Sequence, residues 1–167
     1  MSTGDARNIR PMNSDVHQIA ATRMVGVGQR YTSMRRQLVD LLSRADHPVT
    51  IPDILGLHPD LSQSSVYRNL AVLEQVGIIA KVVTHDEWAR FELAEDLAGH
   101  HHHLICERCG TVRDVQIPDL VESALDQSLE SLAVLNGFEL RQHRLDLIGI
   151  CANCRTSVRS IAAVLIE

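Results

Sequence analysis

Aromatic side chains are scarce in this 167-residue chain, at 3% of its residues. Tyr31, Tyr67, Trp88, Phe91 and Phe138 are all of them. So few rings cannot supply a platform on which successive bases of a single strand stack, and the core has to be aliphatic. Long apolar runs are missing too. No segment approaches the ~20 residues of a membrane span, and the N-terminal region lacks the apolar stretch of a secretion signal. The chain is therefore expected to be soluble and cytoplasmic, with no membrane contact. Positive charge is not in excess: the formal net charge is −5. That argues against indiscriminate coating of nucleic acid and leaves a focused contact open. Cysteine is confined to Cys106, Cys109, Cys151 and Cys154. Two C-x-x-C pairs in a reducing compartment read as metal ligation ahead of disulfides.

What is present is an ordinary 45% of apolar residues, and a length that suits one domain or two small ones. The charge is uneven. Residues 1–94 carry ten Lys/Arg against ten Asp/Glu, whereas 95–167 carry six against eleven, which is where the net −5 arises. Arg30, Arg35 and Arg36 form a local basic cluster.

Residues 1–26 are polar and lack a sustained period, so a mobile arm is expected there, with a short helix from Asp15 to Met24 as the alternative. From Ser33 the apolar spacing turns helical through Met34, Leu38, Leu41, Leu42 and Ala45, until His47-Pro48 ends it. Thr50, Pro52 and Asp53 spell a capped helix start reaching Leu55. Ser62 caps a further helix that buries Val66, Leu70, Leu73 and Val76 and stops at Gly77. Two β-rich runs follow, Ile78–Val83 and Ala89–Leu93, with a polar turn around Asp86. Three helices and a hairpin make a winged helix-turn-helix pattern over 27–94.

Small and acidic residues over 95–99 suggest a hinge. Beyond it an α/β domain is expected over 100–156, followed by a tail at 157–167, so the fold class is α+β. His101–Ile105 and Val112–Val115 read as strands. Pro118 opens a helix of about five turns with Val121, Leu125, Leu129 and Leu132 as its buried stripe. Phe138–Ile148 reads as one long strand.

Three constellations carry chemistry. Cys106, Cys109, Cys151 and Cys154 are two knuckles that together close a tetrahedral zinc site, and four thiolates leave no open position for catalysis. The run His100-His101-His102-His103 lies just before the first knuckle. On a strand it splits into two faces, His100 with His102 and His101 with His103. His143 and Glu122 are candidates to complete the first of these faces. The apolar alternation slips near Gln142 in a way that directs His143 inward, and Glu122 borders the helix stripe. Third, helix 62–76 presents Ser64, Ser65, Tyr67 and Arg68 on its outer side. In a helix-turn-helix those residues enter the major groove, where Arg pairs with guanine and Ser or Tyr reach phosphates or bases.

The blocks HHHHLICERCG (His100–Gly110), SVYRNL (Ser65–Leu70) before Gly77-Ile78, and Cys151-x-x-Cys154 together resemble the ferric uptake regulator family of bacterial metal-sensing repressors. The resemblance spans roughly Gly28 to Cys154. It implies a dimer that binds a palindromic operator in double-stranded DNA. Tyr67 and Arg68 would lie on the recognition helix, and Arg30 would approach the DNA backbone or minor groove. It also implies three metal sites. The four cysteines would hold structural zinc. His101, His103 and Glu92, with His47 nearby, would form the sensing site at the hinge. His100, His102, Glu122 and His143 would form another inside the dimerisation domain.

Zinc-sensing members that resemble this chain carry an acid and a cysteine where Ala80 and Ala94 stand here. A hinge site of N/O donors alone suits Fe(II), or Mn(II), better than a thiolate sensor does; Zn(II) sensing and peroxide sensing are the alternatives within the family. Outside it, metal storage without DNA binding is the rival reading, and the winged-helix pattern counts against that. A zinc deaminase is a poor reading, since Ile105 stands where that motif places proline, directly before the first knuckle.

Overall fold

The computed structural model describes residues 13–86 and 88–156. The chain forms two compact units, the first running to His100 and the second beginning at His101.

The first element is α1 (Asn13–Gly26), in a region where an arm was the first expectation. Val16, Ala20 and Met24 recur every fourth residue and are buried in the core. The small Ala20 within the stripe and the polar residues around it weaken the periodic signal in the sequence, and tertiary burial makes the helix instead. Polar contacts fix it as well. His17 bonds through Nδ1 to the Tyr31 hydroxyl at 2.7 Å and through Nε2 to Asp40 at 3.0 Å. Arg23 donates to the Gly77 carbonyl and pairs with Asp96. Burial pushes the Tyr31 phenol up to about 12. Gly28, at φ 69°, takes the left-handed turn that ends α1, a conformation costly to any residue with a Cβ.

The helices that follow start at the caps their sequence spells. Thr32 accepts from the Arg35 backbone at the head of α2 (Ser33–Arg44). Thr50 and Asp53 form a reciprocal capping box on α3 (Ile51–Leu57). Ser62 caps α4 (Gln63–Gln75), which buries Val66, Leu70 and Leu73. Strand β1 (Val49–Thr50) is too short to announce itself in sequence. It pairs antiparallel with β3 (Arg90–Leu93), which pairs in turn with β2 (Ile79–Val82), giving the order β1-β3-β2. The turn between β2 and β3 is braced by Arg90, whose guanidinium grips both Asp86 oxygens at 2.7 Å. That bond holds the Asp86 carboxyl well below the ordinary carboxylate range. This is a winged helix-turn-helix. Over 95–99, where a hinge is expected, the chain makes the short helix α5 (Glu95–Ala98), anchored by buried Leu97.

The second unit carries β4 (His102–Cys106), β5 (Val112–Val115), α6 (Asp119–Leu135) and β6 (Asp146–Gly149). The sheet order is β5-β4-β6, with β4 and β5 antiparallel and β4 and β6 parallel. Two expectations fail here. The long strand from Phe138 contracts to Asp146–Gly149, because β6 can pair only along the short length of β4. His143 therefore precedes the strand on irregular backbone, and no slip of alternation within a strand is needed to turn it inward. The apolar stripe of α6 is also only partly covered: Leu125 and Leu129 are half-buried, while Val121 is 52% and Leu132 57% exposed. One helix on a three-stranded sheet leaves its far side uncovered by any described residue. The expected tail at 157–167 and the first part of the arm, 1–12, lie outside the described residues.

Because His17 links α1 to Tyr31 and Asp40, His17→Ala should cost about 1–3 kcal/mol of stability, the range for stranding part-buried polar partners. Urea unfolding measures it. An unchanged midpoint would return α1 to the status of a dispensable arm.

Candidate metal centres and nucleic-acid interface

The four cysteines are reduced and converge. Cys106 ends β4, and the chain turns back at once. The Gly110 amide donates to the Cys106 carbonyl at 2.9 Å and takes φ 68°, so Cys109 swings round beside Cys106. Cys151 arrives just beyond β6, its amide donating to the Cys106 sulfur at 3.3 Å, and its own sulfur stands 3.7 Å from that of Cys109. One sulfur from each of the four lies within 4.8 Å of every other. Backbone amides of Cys151 and Cys109 stabilise the Cys106 thiolate and draw its pKa down to about 6. The Thr111 hydroxyl lowers Cys109. Cys154, crowded by Cys109 and Cys151, is pushed up to about 12. Four sulfurs this close resist full ionisation unless a dication shares them, which is the donor chemistry of structural zinc.

The histidine run splits between two faces as the strand geometry requires. His102, 1% exposed, directs Nε2 at Glu122 Oε2 (2.8 Å). Glu122 sits in the first turn of α6 and reaches His143 Nε2 with its other oxygen at 3.2 Å. The two imidazoles lie 5.4 Å apart. His143 Nδ1 points away, to Asp126 Oδ1 at 3.3 Å. His100, the last residue of the first unit, pairs through Nδ1 with Glu95.

On the other face the His101 and His103 rings meet edge to face at 5.1 Å. Asp114 joins them. It stands directly across from His103 in the β4–β5 ladder, with Oδ1 at 3.9 Å from His103 Nε2. His103 Nδ1 faces Asp146 Oδ1 at 3.2 Å. Donor atoms of His101, His103 and Asp114 lie within 4.8 Å of one another, a spread that one divalent cation can span. Sequence reasoning missed Asp114. The signal was the C-x-x-C-G turn: once it closes a hairpin, Ile105 faces Val112 and the pairing of His103 with Asp114 follows. Glu92 lies half-buried on β3 of the first unit. His47 is exposed between α2 and β1 and bonds to Asp46 at 2.6 Å.

On α4, Ser64, Tyr67 and Arg68 are exposed, and Arg68 Nε bonds back to the Ser64 carbonyl at 3.2 Å. Ser65 is half-buried and its hydroxyl accepts from the cap residue Ser62 at 2.8 Å, so it trims the helix start. Arg30 is exposed. Arg35 bridges the turn that carries Arg30 to α4: it donates to the Arg30 carbonyl at 2.6 Å and to Asn69 Oδ1 at 3.0 Å.

A winged-helix unit, a four-thiolate knuckle and histidine–carboxylate clusters on both faces of one strand define a metal-responsive transcriptional regulator. The model of the ferric uptake regulator family matches residues 26–148, and the chain belongs to that family. Among its relatives, the peroxide-responsive repressor PerR of Staphylococcus aureus is 32% identical over 142 residues, 82% of this chain and 88% of that one. The Helicobacter pylori ferric uptake regulator Fur, described as having three functional metal-binding sites, superposes with a TM-score of 0.69. At 22% identity, over 87% of this chain and 95% of its own, it establishes the fold alone. A zinc uptake regulator solved with zinc and DNA is 25% identical, with a TM-score of 0.52 over 90% of this chain and 99% of that one. No helix among the described residues is long and apolar enough to cross a membrane.

Cys106→Ser should release the structural zinc and lower the melting temperature of the second unit. Metal analysis with a thermal scan tests this, and full zinc content with unchanged melting would remove the knuckle assignment.

Proposed function

We propose that this chain is a cytoplasmic, homodimeric repressor that holds a palindromic operator in double-stranded DNA when its hinge site carries a divalent metal, with iron favoured. The carrying observation is the donor set of His101, His103 and Asp114, built from imidazole and carboxylate and standing apart from the four thiolates. Such ligands suit Fe(II) and Mn(II). Glu92, and His47 from the DNA-binding unit, are proposed to complete this site. His100 is proposed to complete the other, with His102, Glu122 and His143.

On this reading residues 27–94 bind DNA, 95–99 act as the hinge, and 100–156 dimerise. The exposed apolar residues Leu120, Val121, Leu132 and Leu135 of α6 support a second copy as the partner for that face. A divalent cation supplies charge neutralisation and directional bonds. Ligands drawn from both units then fix the orientation of the recognition helices toward successive major grooves. Moving the population from 1:99 to 99:1 needs about 5.5 kcal/mol of differential affinity. By linkage, the operator tightens metal binding equally. Arg68, Tyr67, Ser64 and Ser65 are the proposed contacts in the groove, and Arg30 the backbone or minor-groove contact.

Peroxide sensing is the second reading, favoured by the carboxylate of Asp114 and by the similarity to the Staphylococcus aureus repressor.

Anaerobic fluorescence anisotropy on the gene's own upstream DNA decides between these. The protein carries only its structural zinc and is titrated with Fe(II), Mn(II) or Zn(II). Tight, sequence-selective binding with Fe(II) is expected, and its loss after added peroxide would favour the second reading. Binding that needs no metal, or none with any metal, sinks the proposal. His101→Ala should keep fold and zinc but abolish the metal response. Arg68→Ala should cost about 1–3 kcal/mol on the operator if it reads a base edge; equal loss on random DNA makes it a phosphate contact.

A further inference from the structure

Two carboxylates lie behind the metal-facing histidines rather than among them. Asp146 takes Nδ1 of His103, whose Nε2 faces Asp114. Asp126 takes Nδ1 of His143, whose Nε2 faces Glu122. Each imidazole thus has a carboxylate on its rear nitrogen and a ligand group before its front one. We propose that Asp146 and Asp126 are positioning residues, each holding one histidine in the Nδ1–H tautomer so that Nε2 is the metal donor, and each serving one site only. This rests on the metal-sensing reading above.

The backbone builds both pairs. Asp146 is directly opposite His103 in the parallel β4–β6 ladder, and the His103 amide donates to the neighbouring Leu145 carbonyl at 3.3 Å. Arg144 donates to the same Asp146 oxygen at 3.0 Å, which favours the anionic carboxylate as acceptor. Asp126 is four residues beyond Glu122 on α6, so the two acids share one helical face and clasp the His143 ring from both nitrogens. A carboxylate hydrogen-bonded to the rear nitrogen raises the basicity of the front one and removes the entropy of orienting the ring on binding. Loss of such a partner typically lowers metal affinity about 10–100-fold.

The two sites provide each other's control. Full-length protein with its structural zinc is titrated with Co(II) against a chromophoric chelator, and the visible spectrum of bound Co(II) is recorded. Asp146→Ala should weaken one class of site about 10–100-fold and alter its ligand-field bands, with Asp146→Asn intermediate. In a His101→Ala background, which has already lost that site, Asp146→Ala should add nothing. Asp126→Ala should keep its full effect there. Zinc content and melting temperature should stay near wild type.

Unchanged Co(II) affinity in both alanine variants, or equal weakening of both sites by either one, overturns this inference and leaves the sensing proposal standing. A wild-type protein that takes no Co(II) beyond its zinc overturns both.

Discussion

The second unit depends on four sulfurs that cannot all carry charge without a cation between them. Little else there resembles a core: Ile105 and Val112 are its buried aliphatic side chains among the described residues, beside the histidines and Cys106. A small unit of this kind needs a staple, and metal–thiolate bonds supply folding free energy directly. The staple joins the turn after β4 to the chain just beyond β6. It thereby sets the register in which His103 meets Asp114 on one side and Asp146 on the other. The sulfur donors and the imidazole–carboxylate donors are separated by kind and coupled through one strand.

That strand sorts ligands by the simplest property a strand has. Side chains alternate, so four consecutive histidines cannot serve one ion. His102 meets Glu122 and His143 on the helix-covered face, while His101 and His103 meet Asp114 on the other. The acids come from the neighbouring strands and from α6, and they contribute to the negative balance of the second half of the chain.

The first unit is held differently, by aliphatic packing and short polar braces. Val16, Ala20 and Met24 bring α1 into the same core as Leu38, Leu70 and Leu73, and His17 ties it to the turn beside Arg30. Arg35 links that turn to Asn69 on α4. Two regions that the proposed function places on DNA are therefore fixed to each other by one guanidinium, whose planar fork can serve several acceptors at once.

The sequence alone determined whatever depends on local chemistry. Thr50 with Asp53, Ser62, Gly77 and the four-residue spacing of Val66 and Leu70 set the helices of the wing domain, and paired C-x-x-C motifs set the zinc knuckle. The faces of the histidine run followed from strand period. Only tertiary structure decided what depends on neighbours remote in the chain. Asp114, Asp126 and Asp146 acquire roles from strand register and helix docking, and of the three only Asp114 has a signal in the sequence, through the hairpin that the C-x-x-C-G turn closes. Helix α1 forms because a core receives it, and β6 stops where β4 offers no further partner. The stripe of α6 shows the same limit from the other side, for spacing says which residues share a face but not whether another surface covers it.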